Sequence, residues 1–321
     1  MAPAARPRAA GGSLPVAEPD SMVDAPPQTR TALRHAARAY YELTKPGIAG
    51  YVMVTAGVSA FVASRGQVGV ADMLHVILGT GMATGGALAF NQYAEREYDA
   101  VMRRTRGRPI PSGRVEPARA FVFGVTLMMV GIVYLALFSG ALPALLTALS
   151  ALAYHGVYTP LKLRSHLATL AGGVPGAMPT LIGWTAARGT IDVGGLGLFA
   201  IAYAWQLPHV LGLAWMLRED YERVGFRLIP PHDAAGRVIS RHMLAWLLLL
   251  VPLSGVPTWL GYTGWVYFGG ALAASLAFLS LGVSAMRDFT EKAARKVFFG
   301  SLLYHPVLLS LMLFDTVRPR S

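Results

Sequence analysis

Nine long apolar runs alternate along the chain with short polar stretches, at roughly 47–63, 71–92, 118–138, 141–158, 169–187, 194–216, 243–261, 264–285 and 297–314. Each is close to the ~20 residues that a helix rising 1.5 Å per residue needs to cross a bilayer. The pattern predicts an all-α polytopic membrane protein of nine transmembrane helices. Ahead of the first run, Arg30 to Tyr41 mixes apolar and basic residues at helical spacing, and Glu42-Leu43-Thr44-Lys45-Pro46 leads into the span. That segment predicts an amphipathic helix lying in the interface. Residues 1–30 are rich in Ala, Pro and Arg and lack an apolar h-region, so they read as a disordered tail and not as a secretory signal peptide. The expected organisation is a tail and interfacial entry segment over 1–40, then one nine-helix domain over 41–321. Within the fifth run, Gly172-Gly173-Val174-Pro175-Gly176 predicts close helix contacts or a kink beside a cavity.

Composition agrees with a membrane protein, at 54% hydrophobic and 14% charged residues. The net charge of +11 raises the question of nucleic acid, and its distribution answers it. Of 28 Lys and Arg, only Arg65, Arg188, Arg318 and Arg320 fall on one side of the nine-span arrangement, leaving 28 − 4 = 24 on the other side or at its boundary. The positive-inside rule then sets the N-terminus in the cytoplasm and the C-terminus outside, and the basic balance reflects topology and attraction to anionic lipid. A bacterial inner membrane is the expected location. A mitochondrial inner membrane is the lesser reading, because Glu18, Asp20 and Asp24 argue against a presequence. Zero cysteines exclude disulfides and thiolate metal sites.

Candidate chemistry gathers on the cytoplasmic side. Asn91, Glu95 and Asp99 recur at four-residue intervals where the second run meets water, followed at once by Arg103-Arg104-Thr105-Arg106-Gly107-Arg108-Pro109. On a helix that spacing stacks three oxygen-bearing side chains on one face over about 12 Å, able to share one or two hard cations. Arginines beside them, Arg104 and Arg108 above all, suit the counter-charge of a diphosphate carried by those cations. A bland reading, carboxylates paired with neighbouring arginines at a solvated helix exit, is weaker, because polar groups at membrane depth are costly. A second group, Tyr154 to Arg164 with Lys162 and Arg164, fits an aromatic belt with positive-inside charges as well as it fits a phosphate contact. A third, Trp205-Gln206-Leu207-Pro208-His209, lies inside the sixth run, with Asp220 eleven residues beyond. Pro208 frees a backbone carbonyl as a cavity wall would require, while His209 alone fits a packed core residue equally well.

Taken together, Asn91-x-x-x-Glu95-x-x-x-Asp99, Met102-Arg103-Arg104-Thr105, Arg108-Pro109, Tyr158 to Arg164, Trp205-Gln206-x-Pro208-His209, Arg218-x-Asp220-Tyr221 and Leu228-Ile229-Pro230 resemble the heme O synthases. These protoheme IX farnesyltransferases are a branch of the UbiA-type intramembrane prenyltransferase superfamily. The resemblance covers about residues 40–315 and implies a nine-helix bundle around a central cavity capped on the cytoplasmic side. It implies transfer of farnesyl from farnesyl diphosphate, with water, to a vinyl group of heme B. By the same resemblance, Mg²⁺ is held by Asn91, Glu95, Asp99 and Asp220, and the diphosphate is neutralised by Arg104, Arg108, Lys162 and Arg164. His209 ligates the heme iron or orients the macrocycle, and heme A synthase or oxidase assembly proteins join membrane lipid as partners. Glu95 stands where the family motif usually has Asp, and whether Glu219 or Asp220 meets the metal is open. An aromatic or quinone prenyltransferase shares the diphosphate grip. A carrier or metal transporter fits less well, since the carboxylates cluster at one interface instead of the midplane.

Overall fold

The computed structural model describes residues 28–317 apart from 232 and 234. Of the expected disordered tail, residues 1–27 lie outside the described residues, as do Arg318 and Arg320 of the charge count, whereas 28–30 open the first helix. The chain enters through α1 (Gln28–Leu43), the amphipathic helix that the sequence predicts, and turns at Lys45 into α2 (Pro46–Ala63). Then come α3 (Val70–Ala94), a short α4 (Arg96–Val101), α5 (Pro117–Phe138) and α6 (Ala141–Leu152). α6 widens into a π-turn over Ala153–Tyr158 and ends in α7 (Thr159–Leu161). The second half comprises α8 (Ala168–Arg188), α9 (Val193–Met216), the short α10 (Arg218–Arg223), α11 (Arg237–Ser254) with α12 (Val256–Trp259), α13 (Trp265–Arg287) and α14 (Glu291–Phe314). Among the described residues the only β pairing is an isolated bridge between Thr263 and Thr316.

Among the described residues eight segments are long and apolar enough to cross a membrane, and α8 completes a bundle of nine as a helix of lower hydropathy. The reason is its place in the packing. α8 is enclosed by α2, α6 and α9, and most of its buried residues are Gly, Ala, Pro and Thr. A helix screened from lipid by its neighbours needs small contact residues more than an apolar exterior. Pro175 and Pro179 lie inside it, and the Pro175 carbonyl released by Pro179 receives Ser150 Oγ at 3.4 Å. α9 runs through Pro208 as one helix and is the most buried span, packed on α8, α11 and α14. Its Trp205, Ile201 and Leu211 join Trp184, Met243 and Tyr267 in the largest apolar cluster.

α3 and α5 pack backbone against backbone. A Cβ at Gly86 would strike the Met128 backbone, one at Gly131 the Ala83 backbone, and one at Gly124 the Phe90 backbone. α11 and α14 each begin six residues before the apolar runs that predict them (237 against 243, 291 against 297). Hydropathy stops at the charges of Arg237, Arg241, Lys292, Arg295 and Lys296, whereas the helices continue into the interface, where long basic side chains reach water. Their starts are fixed by caps. Asp233 accepts from Val238 N and Ile239 N at 3.0 and 2.9 Å, and Thr290 Oγ1 accepts from Ala293 N at 3.2 Å.

Each end of the described chain is tied to a loop between helices. At one, Gln92 Nε2 donates to the Leu43 carbonyl at 2.9 Å and Arg114 pairs with Glu42 at 2.6 Å, joining α1 to the α3–α5 connection. At the other, Gly264 N donates to Asp315 O at 2.9 Å.

Candidate active site

α3 ends at Ala94, and Glu95 leaves helical geometry (φ −99°, ψ 9°) before α4 resumes. The hydrogen-bond ladder nevertheless carries across, with Glu95 N on Asn91 O at 2.9 Å and Asp99 N on Glu95 O at 2.8 Å. The three side chains of the motif therefore stay on one face and line one polar pocket of about 120 Å³. All three are buried, Asp99 completely.

Basic groups converge on them from three other places in the chain. Arg108 Nη1 grips both oxygens of Asp99 at 2.7 and 2.6 Å, and Thr105 Oγ1 donates to the Asp99 carbonyl at 2.9 Å, folding the basic loop back over the motif. Lys162, at the end of α7, is itself buried, donates to Glu95 Oε1, and sits 4.8 Å above the Tyr158 ring and 5.0 Å above the Phe226 ring. Lys45 reaches Asn91 Oδ1 at 3.5 Å from the α1–α2 turn, where its own backbone takes the left-handed conformation (φ 46°) that side chains rarely adopt. Arg104 completes the lining.

The charges do not cancel. Lys45, Arg104, Arg108 and Lys162 face Glu95 and Asp99, so 4 − 2 leaves a surplus of two positive charges when all are ionised. Burial pushes the Glu95 carboxyl up, but the charge and hydrogen bond of Lys162, with Asn91 and Lys45 behind them, outweigh it and hold the group below its ordinary range. Burial, then repulsion from Arg108, brings the Lys45 amine down to about 7. Burial raises the Tyr221 phenol, which stays protonated on the pocket wall. On this pocket the buried donor Asn91 Nδ2 has no hydrogen-bond partner among the described residues. The pocket thus offers a free amide donor and surplus positive charge to an anion, and oxygen atoms to a hard cation.

Tyr154 lines this pocket and also a second, apolar cleft of about 160 Å³ running into the bundle between α2, α3, α6 and α8. The widened π-turn sets Tyr154 at this junction and Tyr158 on the polar pocket, with Thr159 Oγ1 donating to the Tyr154 carbonyl at 2.9 Å. Gly172 and Gly176 of the Gly/Pro segment in the fifth run line this cleft.

Of the residues that the sequence singles out, the structure brings together Asn91, Glu95, Asp99, Arg104, Arg108 and Lys162. Asp220 and Arg164 stand apart. Asp220 pairs with Arg223 at 3.5 Å and does not line the pocket, although Tyr221 beside it does. Arg164 opens onto a separate recess: α7 gives way to a turn at Lys162, and the two side chains fall on different sides of the Tyr221, Phe226 and Leu228 wall. His209 is held in a stack between Trp205 and Phe298, with Nδ1 2.8 Å from Ser301 Oγ. Beside it, the buried His305 stacks on Trp205 at 4.3 Å and hydrogen-bonds Tyr51. Sequence reasoning missed Lys45 as a pocket residue and named Tyr154 only as the start of its second group. A Lys before a helix-opening Pro gives no sign of a contact 46 residues away.

The UbiA prenyltransferase family matches residues 52–303. The protoheme IX farnesyltransferase of Solibacter usitatus is 40% identical over 287 residues, covering 87% of this chain and 98% of that one. The protoheme IX farnesyltransferase of Myxococcus xanthus is 40% identical over 278 residues, with 86% and 93% covered. Among solved structures, a digeranylgeranylglyceryl phosphate synthase superposes with a TM-score of 0.75 at 17% identity, covering 88% of this chain and 99% of that one. A UbiA homologue from Archaeoglobus fulgidus bound to GPP and Mg²⁺ gives 0.64 at 10% identity, with 85% and 99% covered.

Proposed function

The chain belongs to the UbiA prenyltransferase family, and on that premise we propose that it transfers the farnesyl group of farnesyl diphosphate to a vinyl group of heme B, with water, to give heme O and diphosphate. The observation that carries the reading is the junction at Tyr154 of a buried, over-cationic polar pocket with an apolar cleft. A ligand with a highly anionic head and a branched hydrocarbon tail satisfies both at once. The choice of heme B as acceptor is supported by the relatives that carry this activity in their names.

The donor set fits Mg²⁺. Two carboxylates and an amide oxygen in one polar pocket are what this ion uses when substrate phosphates supply the rest of its shell. Asn91, Glu95 and Asp99 would hold it; when bound, it would offset charge building on the departing diphosphate. Before substrate arrives, Lys162 and Arg108 occupy the two carboxylates. An entering diphosphate draws these cations, with Arg104, Lys45 and the free Asn91 amide, onto its own oxygens. Positive charge is thereby arranged where negative charge develops, without reorganisation at the moment of reaction.

Heterolysis of the allylic C–O bond leaves its electron pair on diphosphate and an allylic cation at the mouth of the apolar cleft, where bulk water is scarce. The vinyl π-electrons of the acceptor form the new C–C bond. The cation this leaves beside the porphyrin ring takes up water, which gives its oxygen to carbon and its proton to solvent. His209 serves the acceptor: with Nδ1 engaged by Ser301, its Nε2 is the nitrogen left to ligate iron or seat the macrocycle.

The protein is an integral membrane protein. The proposed orientation sets the polar pocket and N-terminus in the cytoplasm of a bacterial inner membrane and the C-terminus outside, on the strength of the basic loops around the pocket. The closest competing activity is prenylation of an aromatic acceptor. Purified protein given farnesyl diphosphate, Mg²⁺ and either heme B or hydroxybenzoate should release diphosphate with heme B alone. Release with hydroxybenzoate and none with heme B would overturn the acceptor assignment and leave the diphosphate grip intact.

A further inference from the structure

Beyond the wall formed by Tyr221, Phe226 and Leu228 lies a second recess, of about 690 Å³, between the α7–α8 turn and the loop that follows α10. It is far larger than the polar pocket on the other side of that wall and within the ~300–1,000 Å³ of small-molecule sites. Two kinds of lining meet in it. Trp215, Phe226, Ile229 and Pro230 present flat apolar surface, while Arg164, His166, Arg218 and Arg227 present positive charge. Two carboxylates also line it. Asp233 is committed to capping the first turn of α11, and Glu222 is exposed. No ion pair among the described residues engages Arg164, Arg218 or Arg227. Arg218 is oriented by donating to the Trp215 carbonyl at 3.0 Å, with its guanidinium 5.1 Å from that ring centre.

We infer that this recess seats the carboxylate-bearing edge of the porphyrin acceptor, with Arg164 and Arg227 as the residues that recognise its propionates. The inference rests on the heme-farnesylating reading above. Diphosphate is small and fully polar; the 120 Å³ pocket suits it and a recess walled by Trp and Phe does not. A planar apolar body carrying carboxylates at its rim matches both linings, and guanidinium pairs with carboxylate through two parallel hydrogen bonds. The shared wall brings the acceptor alongside the pocket where the reactive carbon of the donor lies. The two sites are also tied mechanically, because Arg227 N donates to the Lys162 carbonyl at 2.6 Å while the Lys162 amine holds Glu95. Arg164 and Arg227 are therefore specificity residues for the acceptor, outside the diphosphate clamp.

The test uses the full chain in detergent, titrated with heme B and with heme B dimethyl ester by Soret absorbance, and with farnesyl diphosphate plus Mg²⁺ in a separate binding assay. Wild type should prefer the free acid by about tenfold or more, the worth of a charge-assisted carboxylate contact. In R164Q/R227Q that preference should vanish through weaker binding of heme B, with affinities for the ester and for farnesyl diphosphate unchanged. Both arginines are exposed, so the intact ester and diphosphate affinities also report a folded protein. A double variant that keeps the preference, or that loses farnesyl diphosphate while holding heme B, would overturn the inference, the second result assigning the recess to diphosphate. Wild type that bound acid and ester equally would sink the recess alone. Wild type that bound neither porphyrin would sink the recess and the acceptor reading together.

Discussion

Asp99 carries two burdens that a single substitution can separate. Its carboxylate is fully buried with both oxygens on Arg108 Nη1, so Asp99→Asn leaves a guanidinium facing a neutral amide. Breaking such a pair should lower stability by roughly 3 kcal/mol, visible as a fall in melting temperature. Turnover should drop by far more, several kcal/mol of barrier, because charge is lost where the departing diphosphate is stabilised. Asp220→Asn should be the milder change, since Asp220 pairs with Arg223 outside the pocket; equal loss of turnover in both variants would return Asp220 to the metal site. Lys45 supplies a pH signature. With its amine at about 7, it is charged below that value and neutral above it, so diphosphate affinity should fall as pH rises from 6 to 8, and Lys45→Met should flatten the profile. For stability the sign is opposite: between about 7 and the ordinary 10.5 the unfolded chain binds more protons, so Lys45 favours folding increasingly as pH rises through that window. Asn91, Glu95 and Asp99 were legible in the sequence because i, i+4 spacing fixes a shared face whatever surrounds it. Lys45 was not, Tyr154 was legible only as the start of its group, and Arg164 and Asp220 fall outside the pocket where the others meet. Spacing reports the face of a local helix, and it is blind to the side of a wall on which a loop residue falls.

At the scale of elements, the backbone contact between α3 and α5 holds the motif helix in place. Gly131→Leu must drive side-chain atoms into the Ala83 backbone, which flexible neighbours cannot relieve. The expected cost is about 1–3 kcal/mol or more, read as a lower midpoint of thermal unfolding by tryptophan fluorescence. Gly269→Ala on α13, where a Cβ meets nothing within 4 Å, should leave the midpoint unchanged. A similar effect of both would mean that glycine content and not this contact sets stability. The spans themselves were readable from hydropathy, including α8, whose Gly and Pro content announces contact with neighbours. The π-turn over Ala153–Tyr158 left no such trace. One extra residue in a helical turn alters no composition or period, although it sets two tyrosines into the active site.

Across the whole molecule, the charge distribution and the site make one joint claim: the polar pocket opens where the basic loops lie. Reporter fusions after Gly107 and Gly236 should read cytoplasmic, and fusions after Gly66 and Gly189 external. A Gly107 fusion reading external would invert the proposed orientation. The long apolar runs made the membrane class plain at once, and the family followed from a handful of spaced polar residues. What remained out of reach was the division of the polar end into two compartments, which depends on Phe226 and Leu228 folding back from a distant loop. The central claim, that this polar end drives farnesyl transfer onto heme, is tested most directly by mass spectrometry of the porphyrin. Wild type and Glu95→Gln, each incubated with heme B, farnesyl diphosphate and Mg²⁺, should differ completely: wild type should yield heme bearing one farnesyl and one hydroxyl group, and the variant unmodified heme B. Unmodified porphyrin from active-folded wild type, or full product from Glu95→Gln, would contradict the account.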